Sequence, residues 1–314
     1  MTMTSKETMT VVVPVFNRPE LIRRCLDSIE AQTWRPLHVI VVDNASTDDT
    51  VSSVARWKET HGSDDFSLTI LSESRKGAAY ARQTGLDRVT TDKVMFFDSD
   101  DSMRPDCVAS VMEAWRRDPD ADIVAWPVAK HVGNGKVLES RAVKGNILEM
   151  HMVHALFQTL AYAVKTDCLR KAGGWRGEFP NWNDLETGTR LLLGNPSVIA
   201  LPRPLVDVYP QEESITGTSY SAKNGLWEMS LDGMERSIRR SGRPDMARLL
   251  AIVSYRRAIL AATYAKEGRM DLASPLYERS LLEVPAGKRP LIRFAYHWTR
   301  CRMRGAFSIV GRFL

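Results

Sequence analysis

The feature that most constrains this chain is the alternation, over its first hundred residues, of short apolar runs with amphipathic helical stretches. Thr10–Val15 and Leu37–Val42 are β-branched, apolar runs of the kind that strands buried on both faces require. Pro19 opens a helix between them, with Leu21, Ile22, Cys25, Leu26 and Ile29 at helical spacing. A helix to about Thr60 follows the second run. Phe66–Leu71 then reads as a third strand, Ala78–Val89 as a helix with Ala81, Leu86 and Val89 on one side, and Val94–Phe97 as a fourth strand. Strand and helix at this spacing imply βαβ units: an α/β fold with a Rossmann-like, mostly parallel central sheet and helices on both faces. Right-handed crossovers bring the strand ends to one edge, where such sheets bind ligands.

Three polar clusters follow strands and so converge on that edge: Phe16-Asn17-Arg18, Asp43-Asn44, and Asp98-Ser99-Asp100-Asp101. Carboxylates crowded at the end of an apolar strand repel one another and lose solvation. Two readings answer this: a divalent cation with hard oxygen ligands, Mg²⁺ or Mn²⁺, bridging a diphosphate, or a solvated acidic turn. Asp43, directly after Val41-Val42, is placed either to accept a bond from a ribose hydroxyl or base N–H or to cap a helix, a task Ser46 or Asp48 can also do. There is no GxGxxG after the first strand and no GxxxxGK[ST], so neither a dinucleotide site nor a P-loop is signalled.

Beyond residue 123 the pattern changes. Asn134-Gly135 signals a hairpin, and Met152–Val164 reads as a strand entering a helix at Thr166. Gly173-Gly174-Trp175 breaks that helix, and Asp184–Leu193 is helical again. Asp184 suits either a general base or a helix-start residue that stabilises the dipole. Trp175, Phe179 and Trp182 border the loop before it, as sugar-stacking rings or as core. His151 and His154 are spaced i, i+3 without a third ligand, so a zinc site is not signalled.

Hydrophobic residues at 44% and charged residues at 26% fit a globular protein and exclude a disordered or fibrous chain. Cys25, Cys107, Cys168 and Cys301 form no CxxC pair, which points to a reducing compartment. The first ten residues lack a signal-peptide core, and no apolar run is long enough to span a membrane, so a cytoplasmic protein is expected, peripheral to the inner face of the cell membrane if attached at all. No acidic residue follows Glu283, whereas Lys288, Arg289, Arg293, Arg300, Arg302, Arg304 and Arg312 do. The net charge of +5 therefore belongs to the tail, and no nucleic-acid partner is signalled.

Together the motifs resemble glycosyltransferase family 2. Val11-Val12-Val13-Pro14-Val15-Phe16-Asn17 resembles its opening strand and nucleotide loop, and Ile40 to Asp48 its second strand with the base-binding aspartate. Gly77 and Ala81-Arg82-Gln83-Thr84-Gly85-Leu86 resemble its "G…ARNxGL" helix, with Gln83 in place of asparagine. Phe97-Asp98-Ser99-Asp100-Asp101 resembles its DxD metal motif, and Gly173-Gly174-Trp175 with Asn183-Asp184 its "GG(F/W)…ED" segment. The resemblance covers residues 9–218 and implies a GT-A fold that transfers a sugar from a nucleotide-sugar donor, a UDP-sugar foremost, to an acceptor hydroxyl with inversion. It implies Pro14, Phe16, Asn17, Asp43, Gly77, Arg82, Asp98 and Ser99 on the donor, Asp100 and Gln211 on a divalent metal, Asp184 as base, and Trp175, Trp182 and Asn183 toward the acceptor, a saccharide or lipid-linked saccharide of bacterial surface polysaccharide synthesis. Asn183 stands where glutamate is usual and Gln211 where histidine is. These two departures keep open a non-catalytic subunit of the same fold that binds a sugar nucleotide or a partner enzyme.

On this reading residues 1–219 form the GT-A domain, with 9–105 the nucleotide-binding half and 106–219 the acceptor half. Residues 220–285 form a helical appendage, in which Tyr255 to Leu281 resemble one tetratricopeptide-like helix pair. Residues 286–314 form a basic amphipathic tail, in which Leu291, Ile292, Phe294, Ala295, Tyr296 and Trp298 mix with arginines. Such a tail either rests on an anionic membrane or packs on the body with a solvated basic face.

Overall fold

The structure is a computed structural model and describes residues 7–132, 134–141, 143, 145–210, 219–223, 225–301, 303 and 305–314. In chain order the elements are β1 (Met9–Val15), α1 (Pro19–Glu30), β2 (Leu37–Asp43), α2 (Thr50–Thr60), β3 (Phe66–Ser72), α3 (Ala78–Arg88), β4 (Lys93–Phe96), β5 (Ser102–Met103), α4 (Cys107–Arg117), β6 (Ile123–Ala125), β7 (Ala129–His131) and β8 (Val137–Glu139). There follow α5 (Ile147–His154), β9 (Tyr162–Lys165), α6 (Thr166–Lys171), α7 (Asn183–Leu193), β10 (Val198–Ala200) and β11 (Val206–Val208). Helices α8 (Leu226–Arg240), α9 (Met246–Lys266), α10 (Met270–Leu282), α11 (Arg289–Arg300) and α12 (Ala306–Val310) complete the chain.

The elements fall into two compact units. Asn146–Ala155 and Phe179–Leu193 belong with the C-terminal helices, and the remaining residues up to position 210 belong with the sheets.

In the first unit a seven-stranded sheet runs β10-β6-β9-β4-β1-β2-β3, with β4, β1, β2 and β3 parallel and β9 antiparallel to both its neighbours. The inner parallel strands β4, β1 and β2 are buried on both faces, which is why β1 and β2 read as continuous apolar runs, whereas the edge strand β3 is only partly buried. On one face Val11, Val13, Val39 and Val41 share a core with Ile22 and Leu26 of α1 and Val54 and Trp57 of α2. On the other face α3 lies against β1 so closely that a Cβ on Gly85 would come within 2.3 Å of Val12 Cγ1. A second sheet, β5-β11-β7-β8, flanks the first. Its β7–β8 hairpin turns through Asn134 (φ 48°) and Gly135 (φ 70°), the left-handed pair an Asn-Gly turn supplies.

In the second unit α9 is the central helix, packed by α5, α8, α10 and α11. Its fully buried Arg257 is held by Asp232 and Glu235 at 2.7 Å each and by Glu283, so three helices share one cation. In α7 the buried Glu186 and Arg190 form a two-pronged pair at 2.7 and 2.9 Å.

The stretch 152–164 corrects the expectation of a single strand. Met152–His154 close helix α5, Ala155 takes a left-handed conformation (φ 51°), and the strand begins only at Tyr162. The run is apolar because both elements are buried, and an apolar run without alternation carries no period to tell them apart.

Candidate functional site

Strand order builds the site. β1 pairs with β2 on one side and β4 on the other, in a register that sets Val15 opposite Asp43 and Val12 opposite Phe96. The polar residues that follow these three strands are therefore neighbours along the carboxyl edge of the sheet.

Pro14 is buried within β1, while Phe16 just beyond it is 44% exposed. Asn17, in the left-handed region at φ 48°, joins the first two clusters: its backbone N–H donates to Ser46 Oγ at 3.0 Å, and its Oδ1 accepts from Thr47 N at 2.8 Å. The buried carboxylate of Asp43 accepts from Ser46 N at 3.3 Å. Asp48, not Asp43, takes the Thr50 N–H at the start of α2, which leaves Asp43 out of helix capping. Asn44 braces the same edge. Its Nδ2 donates to the carbonyls of Glu73 and Arg75, and its Oδ1 accepts from Gly77 N at 2.7 Å. Gly77 itself needs the absence of a side chain, at φ 136°.

The acidic run turns directly off β4, with Asp101 N donating to Asp98 O and Ser99 buried beneath it. Arg82 of α3 donates to Asp98 Oδ1 at 2.8 Å and lies 4.8 Å from the Trp175 ring centroid. Arg18 pairs with Asp100 at 2.7 Å, and Arg24 of α1 donates to the Asp100 carbonyl. Asp101 Oδ1 accepts from Tyr209 N at 3.0 Å, and the Arg24 guanidinium lies 4.5 Å from the Tyr209 ring centroid. Burial, reinforced by Asp98, raises the Asp100 carboxyl above the usual carboxylate range. Burial, with Asp98 and Asp100, pushes Asp101 up to about 8. Burial thus disfavours the charged forms of Asp100 and Asp101, while Arg82, Arg18 and Arg24 offset the charge of the run.

A hard divalent cation is the kind of ion that carboxylate oxygens at this turn would hold. Among the described residues no three His, Cys, Asp or Glu side chains gather as a ligand set, and Gln211 lies outside them. The donor set therefore suits an ion that takes one or two carboxylates and completes its shell with phosphate oxygens and water, as Mg²⁺ and similar ions do.

Trp175 is 2% exposed, packed edge-on to Phe96 at 5.2 Å and covered by Arg82. The stacking face that the sequence offers to a sugar is thus used to seat Arg82. Gly174, at φ 58°, lies against Gln83, whose Oε1 accepts from Trp175 N at 2.7 Å. Gln83 thereby docks this loop on α3.

Trp182, Asn183 and Asp184 belong to the second unit. Asn183 Nδ2 reaches Pro180 O at 3.5 Å, and Asp184 Oδ1 accepts from Leu185 N at 2.8 Å at the start of α7. Trp182 has φ 50°, and its ring meets Trp227 at 5.0 Å and the Arg256 guanidinium at 4.5 Å. Sequence reading placed Arg18 in the first polar cluster without its acidic partner, and did not single out Arg24, Tyr209 or Arg256. Arg18 precedes α1 and Arg24 lies on it opposite the apolar stripe, but no local pattern says which acid each meets.

A mostly parallel sheet of this order, with polar clusters following adjacent strands and an acidic turn off β4, is the architecture of an α/β ligand-binding fold. The glycosyl transferase family 2 model matches residues 10–173, from β1 through the first glycine after α6, and the chain belongs to that family. Glycosyltransferase GlyA of Streptococcus pneumoniae is 34% identical over 103 residues, 33% of this chain and 14% of that protein. The succinoglycan biosynthesis protein ExoW of Rhizobium meliloti is 34% identical over 115 residues, 35% of this chain and 34% of that one. The chain thus spans only a minor part of the length of either relative. Among solved structures, residues 1–349 of S. aureus TarS in complex with UDP-GlcNAc superpose with a TM-score of 0.73 at 16% identity, over 94% of this chain and 92% of that one. The mannosyltransferase PcManGT from Pyrobaculum calidifontis, in complex with GDP-Man and Mn²⁺, gives a TM-score of 0.56 at 24% identity, over 99% and 88%. These likenesses identify the fold as GT-A.

Proposed function

We propose that this protein transfers a sugar from a nucleotide-sugar donor, a UDP-sugar foremost, to an acceptor hydroxyl with inversion, in the synthesis of a bacterial surface polysaccharide. The observation that carries the reading is the adjacency of the three polar clusters on β4, β1 and β2, with the acidic run at the end of β4. Phe16 and Asp43 hold the base and ribose, and Asn17 and Gly77 shape the loops around them. Arg82 orients Asp98 toward the donor, and Ser99 supports the turn from beneath. Asp100, with Gln211, would hold a divalent metal, Mn²⁺ or Mg²⁺. A cation bound there supplies positive charge for the departing diphosphate. Asp184 takes the proton of the acceptor hydroxyl, a role whose loss lowers turnover by about 10²–10⁴-fold. Trp182 and Asn183 flank the acceptor, a saccharide or lipid-linked saccharide.

The C-terminal residues support attachment at the inner face of the cell membrane. Among the described residues no helix is long and apolar enough to cross a membrane. The basic tail instead leaves Phe294, Met303, Ile309 and Phe313 exposed, and Phe313 is 66% exposed.

A thermal-shift panel of nucleotide sugars with and without Mn²⁺ tests the donor and the metal together. The expected result is stabilisation by a UDP-sugar that is enhanced by Mn²⁺ in the wild type and loses the Mn²⁺ enhancement in Asp100→Asn. No stabilisation by any nucleotide sugar would overturn the transferase reading.

A further inference from the structure

We propose that Arg256 of α9 is a positioning residue that holds the Trp182–Asp184 segment so that Asp184 presents its carboxylate to the acceptor; the proposal rests on the role given to Asp184 above. Trp182 links Arg256 to Asp184. Its φ of 50° is a conformation that a bulky side chain rarely keeps unless its surroundings impose it. Its ring is fixed on several sides: Arg256 lies 4.5 Å from the centroid, Trp227 packs edge-on at 5.0 Å, and Tyr220 lies at 6.1 Å. A guanidinium is suited to this place because its plane stacks on an aromatic face, which an ammonium cannot reproduce.

Arg256 is itself anchored. Its Nη1 donates to the Val153 carbonyl of α5 at 3.0 Å, while its buried Nε has no hydrogen-bond partner among the described residues. Two clamps therefore act on the start of α7. Arg256 acts through Trp182, two residues before Asp184. From α5, His151 Nε2 donates to the Leu185 carbonyl at 3.0 Å, one residue after Asp184. The charged and titratable groups facing Arg256 come from four elements: Asp184 of α7, His151 of α5, Tyr220 of the turn before α8, and Tyr255 of α9 itself. Glu149 of α5 is engaged by Arg248 at 2.5 and 2.8 Å. Asp184 is therefore the carboxylate whose field acts on this buried cation. Burial lowers the basicity of Arg256, and Tyr220, Tyr255 and Asp184 oppose that shift.

The test compares Arg256→Met, Arg256→Lys and Asp184→Asn by steady-state kinetics across pH, with the melting temperature of each. The Met variant is expected to lower kcat by about ten- to a hundredfold, the scale of a misplaced reacting group. It should leave the donor KM unchanged and move the acid limb of kcat to higher pH. Lysine restores charge but not the planar stack, so it should recover the limb and only part of kcat. A Met variant with wild-type kcat and an unmoved acid limb overturns the proposal, as does a loss of activity that tracks melting temperature with the limb unmoved. Wild-type turnover in Asp184→Asn overturns the base reading and the role of Arg256 with it. An inactive Asp184→Asn beside an unaffected Arg256→Met overturns the role of Arg256 alone.

Discussion

Asp98 and Asp100 each meet a guanidinium from a different element, Arg82 from α3 and Arg18 from the loop after β1. The acidic run is thus tied to its neighbours within the fold itself, and its geometry depends on side chains from other elements. A second residue whose setting dictates its behaviour is His151. Burial, reinforced by Arg256, brings its imidazole down from 6.5 to about 4. The unfolded chain takes up this proton near pH 6.5 and the folded chain only near 4. Stability conferred by the neutral ring is therefore fully present above pH 6.5 and is lost as pH falls toward 4. A shift of this size corresponds to about 3 kcal/mol. Chemical denaturation of wild type and His151→Gln at pH 7 and pH 4.5 should show a flatter pH dependence in the variant; equal slopes would assign the acid sensitivity to other groups.

At the scale of elements, α3 decides the most, because it supplies both Arg82 to the acidic run and Gln83 to the loop at Gly174. Its close seat on β1 depends on Gly85. Gly85→Ala places a Cβ within 2.3 Å of Val12 Cγ1 on a strand that cannot retreat, and it should destabilise the protein by about 1–3 kcal/mol. Activity should fall with it, because α3 carries Arg82 outward as it lifts. A melting temperature equal to wild type would show that the sheet yields there.

The strands at the centre of the fold were legible because burial on both faces leaves an unbroken β-branched run, as in Val11 to Val13 or Val39 to Val42. The turn at Asn134-Gly135 was legible because few residues accept two successive left-handed conformations. Met152 to Val164 was not, because a helix and a strand that are both buried look alike over thirteen residues. Asp43, Asp98 and Asp100 could be found from their places after strands. Their arginine partners could not: the pairing of Arg82 with Asp98 follows from how α3 seats on the sheet. The covered ring of Trp175 has the same cause, since the cation that covers it lies on another element.

At the scale of the molecule, the charge of the chain is concentrated beside exposed apolar side chains. Helix α11 packs on α9 and α10 with Ile292, Ala295 and Tyr296 buried, the Tyr296 ring stacked on Tyr277 of α10, which leaves Arg293, Phe294, His297 and Arg300 outward. Each basic side chain near an anionic bilayer contributes about 1 kcal/mol, so replacing Arg293, Arg300 and Arg312 by Gln should weaken binding to phosphatidylserine vesicles by about two orders of magnitude. Flotation at low and high salt measures this. Equal recovery of wild type and triple variant would mean that the basic face is merely solvated.

The grouping of α5 and α7 with the C-terminal helices has a consequence for how the protein is made. Glu149 meets its partner Arg248 only after 99 more residues have been joined. During synthesis the sheet unit has all of its strands once residue 208 has emerged, whereas α5 and α7 must still wait for α8 and α9. A nascent chain whose sheet strands have all just emerged therefore holds α5 and α7 without the C-terminal helices that complete their packing. The helix that carries Asp184 is thus among the last parts of the fold to reach its full packing.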